Sequence, residues 1–136
     1  MSRPILLGYQ LLTGLSDSVT GALLILAPGF TLALMRVHAP SDALPFLSFI
    51  GAFVFSVGLA CFYGALVVWH RAGRARIEMV WLLTAFTRSG VAIFLLQQVL
   101  AGALESSWLT VAVSDGAFAL IQAVGMRRGW LAHVAE

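Results

Sequence analysis

Charge is scarce in this chain. Asp, Glu, Lys and Arg make up 10 % of its 136 residues, against roughly 25 % in a soluble globular domain. Lysine is missing altogether, and the net charge is only +2. No basic stripe or stacking platform is present, which excludes nucleic-acid binding. A lone cysteine, Cys61, lies in an apolar run without a second thiol; this excludes an internal disulfide and a thiolate metal cluster and makes it a small buried residue. Histidine is sparse and badly placed for chemistry. His38, His70 and His133 fall in loops or at helix ends, so no haem ligand pair and no clustered zinc set lies within an apolar segment. Ser89 and Ser114 have no histidine at their depth to act as a base for nucleophilic attack. The first apolar stretch lacks the basic, apolar, cleavage-site order of a signal peptide and is interrupted by Asp17; it is expected to stay in the mature protein.

What the chain does have is apolar length: 60 % of its residues are hydrophobic. Four runs stand out, at 5–27, 45–69, 79–102 and 108–126, and about 20 apolar residues suffice to cross a bilayer as a helix. The runs do not alternate, so a strand reading fails, and only helices or closed barrels satisfy backbone groups in lipid. The expected fold is all-α, an integral membrane four-transmembrane-helix bundle forming one domain over 1–136. Pro28 and Gly29 end or kink the first run, and the apolar 30–35 stretch reads as an interfacial turn of helix. Pro40, Ser41, Asp42 and Pro45 supply turn and helix-start chemistry before the second run.

Arginine counts orient the chain. Arg3, Arg71, Arg74, Arg76, Arg127 and Arg128 lie at the termini and in the middle loop, whereas the two opposite loops hold only Arg36. Positive residues favour the inside, which predicts a multi-pass protein of the bacterial inner membrane with both termini cytoplasmic. Trp69, Trp81, Trp108 and Trp130 lie near run ends and read as interfacial anchors against membrane lipids.

Periodicity then asks which faces meet. In the second run Ala52, Ser56, Ala60 and Gly64 form a small-residue row along which a neighbouring helix can approach closely. Three other runs carry inward stripes: Gln10, Gly14, Asp17, Gly21 and Leu24; Trp81, Thr84, Arg88, Val91, Leu95 and Gln98; Trp108, Ala112, Asp115, Ala119, Gln122 and Met126. Counted at 1.5 Å per residue, Asp17, Arg88 and Asp115 lie about 18, 14 and 18 Å from the cytoplasmic face. A lone charge near mid-membrane costs on the order of 2.5 to 3.5 kcal/mol on insertion scales, so Arg88 is expected to bridge both aspartates. The triad then carries one negative charge in excess. It holds a proton, binds a cation, or draws donors from Thr84, Ser18 or Ser114. Gln10 and Gln122 form a second layer toward the cytoplasm, as a polar pocket or as partners for each other. Two readings stay open: a network that fixes helix register, and a ligand site.

The four-span layout, the small size, the charges within spans and the string GLSDSVTGALLILAP resemble the small bacterial DoxX-like membrane proteins. The resemblance implies the same four-helix membrane fold. Because some members are linked with quinone-dependent sulfur oxidation, it also implies a quinone as a cofactor to consider; no residue role is carried over. From the residues themselves no cofactor is predicted, and the aromatic set Phe46, Phe49, Phe53, Phe55, Phe62 and Tyr63 reads as lipid contact and packing, with a flat lipophilic ligand as the alternative. The first functional reading is a non-catalytic accessory or scaffold component of a larger inner-membrane assembly, in a membrane protein complex or homo-oligomer. The alternatives are a membrane carrier or binding protein for a small lipophilic or ionic ligand, and a quinone-linked oxidoreductase subunit. No catalytic residue is assigned, and whether the chain is an enzyme stays open.

Overall fold

Over residues 1–132, which the computed structural model describes, the chain folds into five α-helices and two short 3-10 turns. The helices are α1 (Arg3–Leu26), α2 (Pro28–Met35), α3 (Leu44–Trp69), α4 (Arg74–Leu100) and α5 (Leu109–Arg127). His133 lies outside the described residues. By length and composition three segments can cross a membrane: Ser41–Trp69, Arg74–Leu100 and Ser106–Arg127. At 24 residues α1 is long enough too, about 36 Å, but its polar residues set it apart from the three apolar segments.

Local chemistry explains the breaks. Pro28 occupies the first turn of α2, where its missing N–H is no loss. Ala27 closes α1 by donating to Leu23 O and accepts from Thr31 to open α2. Arg36 ends α2 in the left-handed region at φ 57, with Val37 N reaching back to Leu32 O at 2.9 Å. Gly73, at φ 105, precedes α4. That helix starts at Arg74 rather than at 79, because Arg74 and Glu78 form an i,i+4 ion pair at 2.6 Å that stabilises a first turn too polar to register as apolar sequence.

The helices associate as two close pairs, α1 with α3 and α4 with α5, while α3 approaches α4 across the seam between the pairs. In the α1/α3 pair glycine lets backbones touch. A Cβ at Gly21 would lie 2.7 Å from Gly51 O, and one at Gly58 would lie 2.9 Å from Gly14 O. The small-residue row expected on α3 is therefore displaced. Ala52 and Ser56 are exposed and Ala60 is half-buried, and only Gly64 is buried. The contact row starts one residue earlier, at Gly51, because carbonyl contact tolerates no Cβ.

Apolar cores close both ends. At the end carrying the N-terminus, Leu6, Val67, Val68, Ile77, Val80, Trp81 and Leu131 pack together. At the opposite end, Leu32, Val37 and Leu47 do so, flanked by Met35 and Trp108. Arg3 clamps the first core by donating from Nε to Val68 O at 3.1 Å and from Nη2 to Trp69 O at 2.5 Å, capping α3. On the far side His38 and Glu105 join the two connecting loops at 3.1 Å. Trp81 is not an interfacial anchor. It is fully buried, since α4 begins two turns before it and Gly125 makes room for its ring. Large apolar side chains face outward along the helices, among them Leu12, Phe46, Phe86 and Leu100. With the apolar segments they make this a membrane-embedded, multi-pass helical protein.

Candidate functional site

Between the two helix pairs lies a band of polar side chains, with an apolar core at either end. Its centre is Arg88. Nη1 donates to Asp115 Oδ1 at 2.7 Å and Nη2 donates to Asp17 Oδ2. Asp115 belongs to the same pair of helices as Arg88, and Asp17 to the other pair, so the Asp17 contact ties the two halves. A planar guanidinium fork suits this double engagement, whereas a lysine ammonium offers no such fixed geometry. Arg88 also lies over the Phe118 ring, with Cζ 4.8 Å from its centroid.

Exposure is uneven across the triad. The Arg88 side chain is 4 % exposed, but those of Asp17 and Asp115 keep 14 % and 20 %. The guanidinium is thus shut inside while each carboxylate retains an open edge. Two acids against one base leave a formal excess of one negative charge, counting all three as ionised. Such an excess in a medium of low polarity draws in a proton or a cation.

A second layer lies about two helical turns toward the terminal end. Gln10 is 0 % exposed and Gln122 1 %. They do not bond each other: Gln122 Nε2 donates to Thr84 Oγ1 at 2.8 Å, and Thr84 Oγ1 donates back to Val80 O at 2.7 Å. Thr84 therefore serves the second layer and not the triad. Gln10 fits against Gly64, where a Cβ would lie 2.9 Å from its Nε2. Ser114 turns away, donating to Val111 O, and Ser18 packs at Gly58. On α4 the inner stripe drifts from Val91, which is exposed, to Ala92, whose Cβ faces Gly116.

Several members of the cluster carry no signal as isolated sequence positions. Tyr9 packs between Trp81, in a tilted contact, and Phe118, edge-on, at ring-centroid distances of 5.4 and 6.2 Å, and its hydroxyl is buried. Cys61 is completely buried beside Thr13 and Arg88. Thr13 stands between Gln10 and Asp17 on α1, so three-and-four spacing points to it once those two are placed. Nothing comparable marks the aromatics, which look alike in sequence whether they face lipid or the interior. The expected lipid-facing phenylalanines include Phe46, Phe49 and Phe53, all well exposed, with Phe49 and Phe53 in edge contact.

No protein-family model, no curated protein and no solved structure matches the chain. Its chemistry has to be sought in the cluster itself.

Proposed function

We propose that this is a four-span protein of the bacterial inner membrane, DoxX-like in layout, that binds a small cationic ligand, the proton included, at Asp17, Arg88 and Asp115. For the fourth span, α1 packs along α3, and its polar residues Gln10, Thr13 and Asp17 turn toward protein, which leaves Ser16 on an otherwise largely apolar outer side. The arginine bias favours a cytoplasmic side for both termini.

One observation carries the ligand reading. Two carboxylates share one guanidinium at a buried level, and both keep an open edge while the arginine does not. A network serving only to fix register gains nothing from the unbalanced charge or from the open edges. The geometry therefore favours the binding or carrier alternative over a purely structural role. The test uses the whole protein in lipid nanodiscs, with Asp17→Asn and Asp115→Asn for comparison. Sodium or ammonium is expected to raise the unfolding midpoint, or acidification to produce the infrared band of a protonated carboxyl. Either response should vanish in the variants while helical circular dichroism persists. A wild-type protein that shows neither response contradicts the reading.

A role as an accessory component of a larger assembly is the second reading, favoured by the outward face of α3 at Ala52 and Ser56, which the described residues leave uncovered. Intact-complex mass measurement after gentle extraction checks it. A stable partner or a second copy is the result expected, and a monomer retaining only lipid is the result against it. A quinone-linked role stays attached to the DoxX-like resemblance alone.

A further inference from the structure

Buried polar atoms without partners are rare in native proteins and usually mark a bound water or ion. Here most of them gather in one place. Tyr9 Oη, both carboxamide atoms of Gln10, Trp81 Nε1, Arg88 Nε and Gln122 Oε1 are all buried without a hydrogen-bond partner among the described residues. Gln10, Trp81, Arg88 and Gln122 are each at least nine-tenths buried. They come from α1, α4 and α5; Trp81 belongs to the apolar core that also holds Leu6, Val67, Val68, Ile77, Val80 and Leu131, and Gln10 and Gln122 lie on the inner stripes between the triad and that end of the bundle.

The set is mixed in hydrogen-bonding character. Trp81 Nε1 and Arg88 Nε can only donate, Gln122 Oε1 can only accept, and Gln10 and the Tyr9 hydroxyl do both. A metal cation would leave the donors unserved, and an anion would meet the excess negative charge of the triad. Water satisfies both kinds of group and conducts a proton along its hydrogen bonds. Resting on the reading that the triad takes up a cation, we propose that Tyr9, Gln10, Trp81 and Gln122 form a buried hydrated relay that passes a proton on to the Asp17–Arg88–Asp115 triad.

The step is a simple transfer. Hydronium in the relay water gives up its proton, which forms an O–H bond on a free oxygen of Asp17 or Asp115 and leaves neutral water behind, so the triad goes from one negative charge to none. The titratable and charged groups facing the acceptors are Tyr9 from α1, Cys61 from α3, Arg88 from α4, and each aspartate for the other. Arg88 stays charged throughout, and its Nε anchors the relay next to the acceptor. Gly64 and Gly125 are part of the device. A methyl group at Gly64 would press on the Gln10 carboxamide, and one at Gly125 would press on the Trp81 ring.

The experiment follows the protonated-carboxyl infrared band after a rapid pH drop, using the full chain in nanodiscs. Wild type is compared with Gln10→Met, Gln122→Met and Trp81→Phe, which remove the relay groups, the two methionines at nearly constant volume. The expected result is that the final band amplitude is retained and its rate of appearance falls at least tenfold in one or more variants. Because Trp81→Phe also removes the distal ring atoms, Cζ3 and Cη2, that reach Gly125, helical circular dichroism of each variant identifies those that are folded. Unchanged rates in all folded variants overturn the relay while leaving the cation site standing. A wild type without the band, yet stabilised by sodium or ammonium, also overturns the relay, because the bound ion is then not a proton. Absence of both responses removes the site and the relay together.

Discussion

Arg88 is the residue on which the interior turns. Replacing it with alanine leaves two carboxylates facing each other without a counter-charge, and breaking a buried pair from one side costs about 3 to 5 kcal/mol. We predict a loss of that size for Arg88→Ala in reversible unfolding, with Arg88→Lys recovering only part of it because an ammonium lacks the planar fork that bonds both acids. A loss below about 1 kcal/mol for Arg88→Ala would mean that the triad does not hold the halves together. The three charges are legible in the amino-acid sequence, since isolated charges in apolar runs have to find one another. Tyr9 and Phe118 are not, and although Cys61 reads as a buried residue and Trp81 falls on an inward stripe, their place beside the polar band is not legible either. It depends on helix rotation and on glycines across the interface, and no single residue type announces that.

At the scale of elements, glycine separates contact from space. Gly21 and Gly58 lie against backbone carbonyls of the opposite helix, whereas Gly8 and Gly90 have nothing within 4 Å of a built Cβ. Gly21→Leu is predicted to destabilise the protein by about 2 kcal/mol or more through overpacking. Gly8→Ala and Gly90→Ala should be neutral or stabilising by up to about 1 kcal/mol, because each removes backbone entropy from a helix interior. Chemical unfolding of the three variants side by side checks the contrast, and equal effects would contradict the packing of α1 on α3. Two small-residue rows run along α3, one residue apart. Periodicity alone cannot choose between Gly51 with Gly58 and Ala52 with Ser56. The choice is made by backbone approach, which alanine's methyl forbids. Helix ends follow chemistry more closely: Pro28 and Gly73 stand where α1 stops and α4 starts, while the early turn of α4 is hidden by its polar residues.

For the whole molecule, arginine bias and interior geometry make separate claims. The bias predicts that a cysteine placed at Arg74 is labelled from the cytoplasmic side and one at Glu105 from the opposite side, in a Cys61→Ala background. Labelling of both from one side would contradict a membrane crossing by α4. The geometry predicts that apolar cores at either end enclose the polar band, so substitutions that open the terminal core should admit water. Leu6→Ala is expected to speed deuterium exchange of the Gln10 side chain, measured by nuclear magnetic resonance, and to cost about 2 to 5 kcal/mol. The apolar spans and their inward stripes are legible from composition and period. The enclosure of the band is not, because it depends on Leu131 and Val37, which lie outside the long helices, packing back onto the bundle ends.

Arg88 joins Asp17 and Asp115 within the apolar bundle, and nitrogen-to-carbon distances from its guanidinium to both carboxyl carbons, measured by solid-state magnetic resonance in lipid bilayers, report on that junction. Both distances are predicted to fall within the range of a direct charge-assisted hydrogen bond. A guanidinium in contact with lipid, far from either acid, would contradict the account.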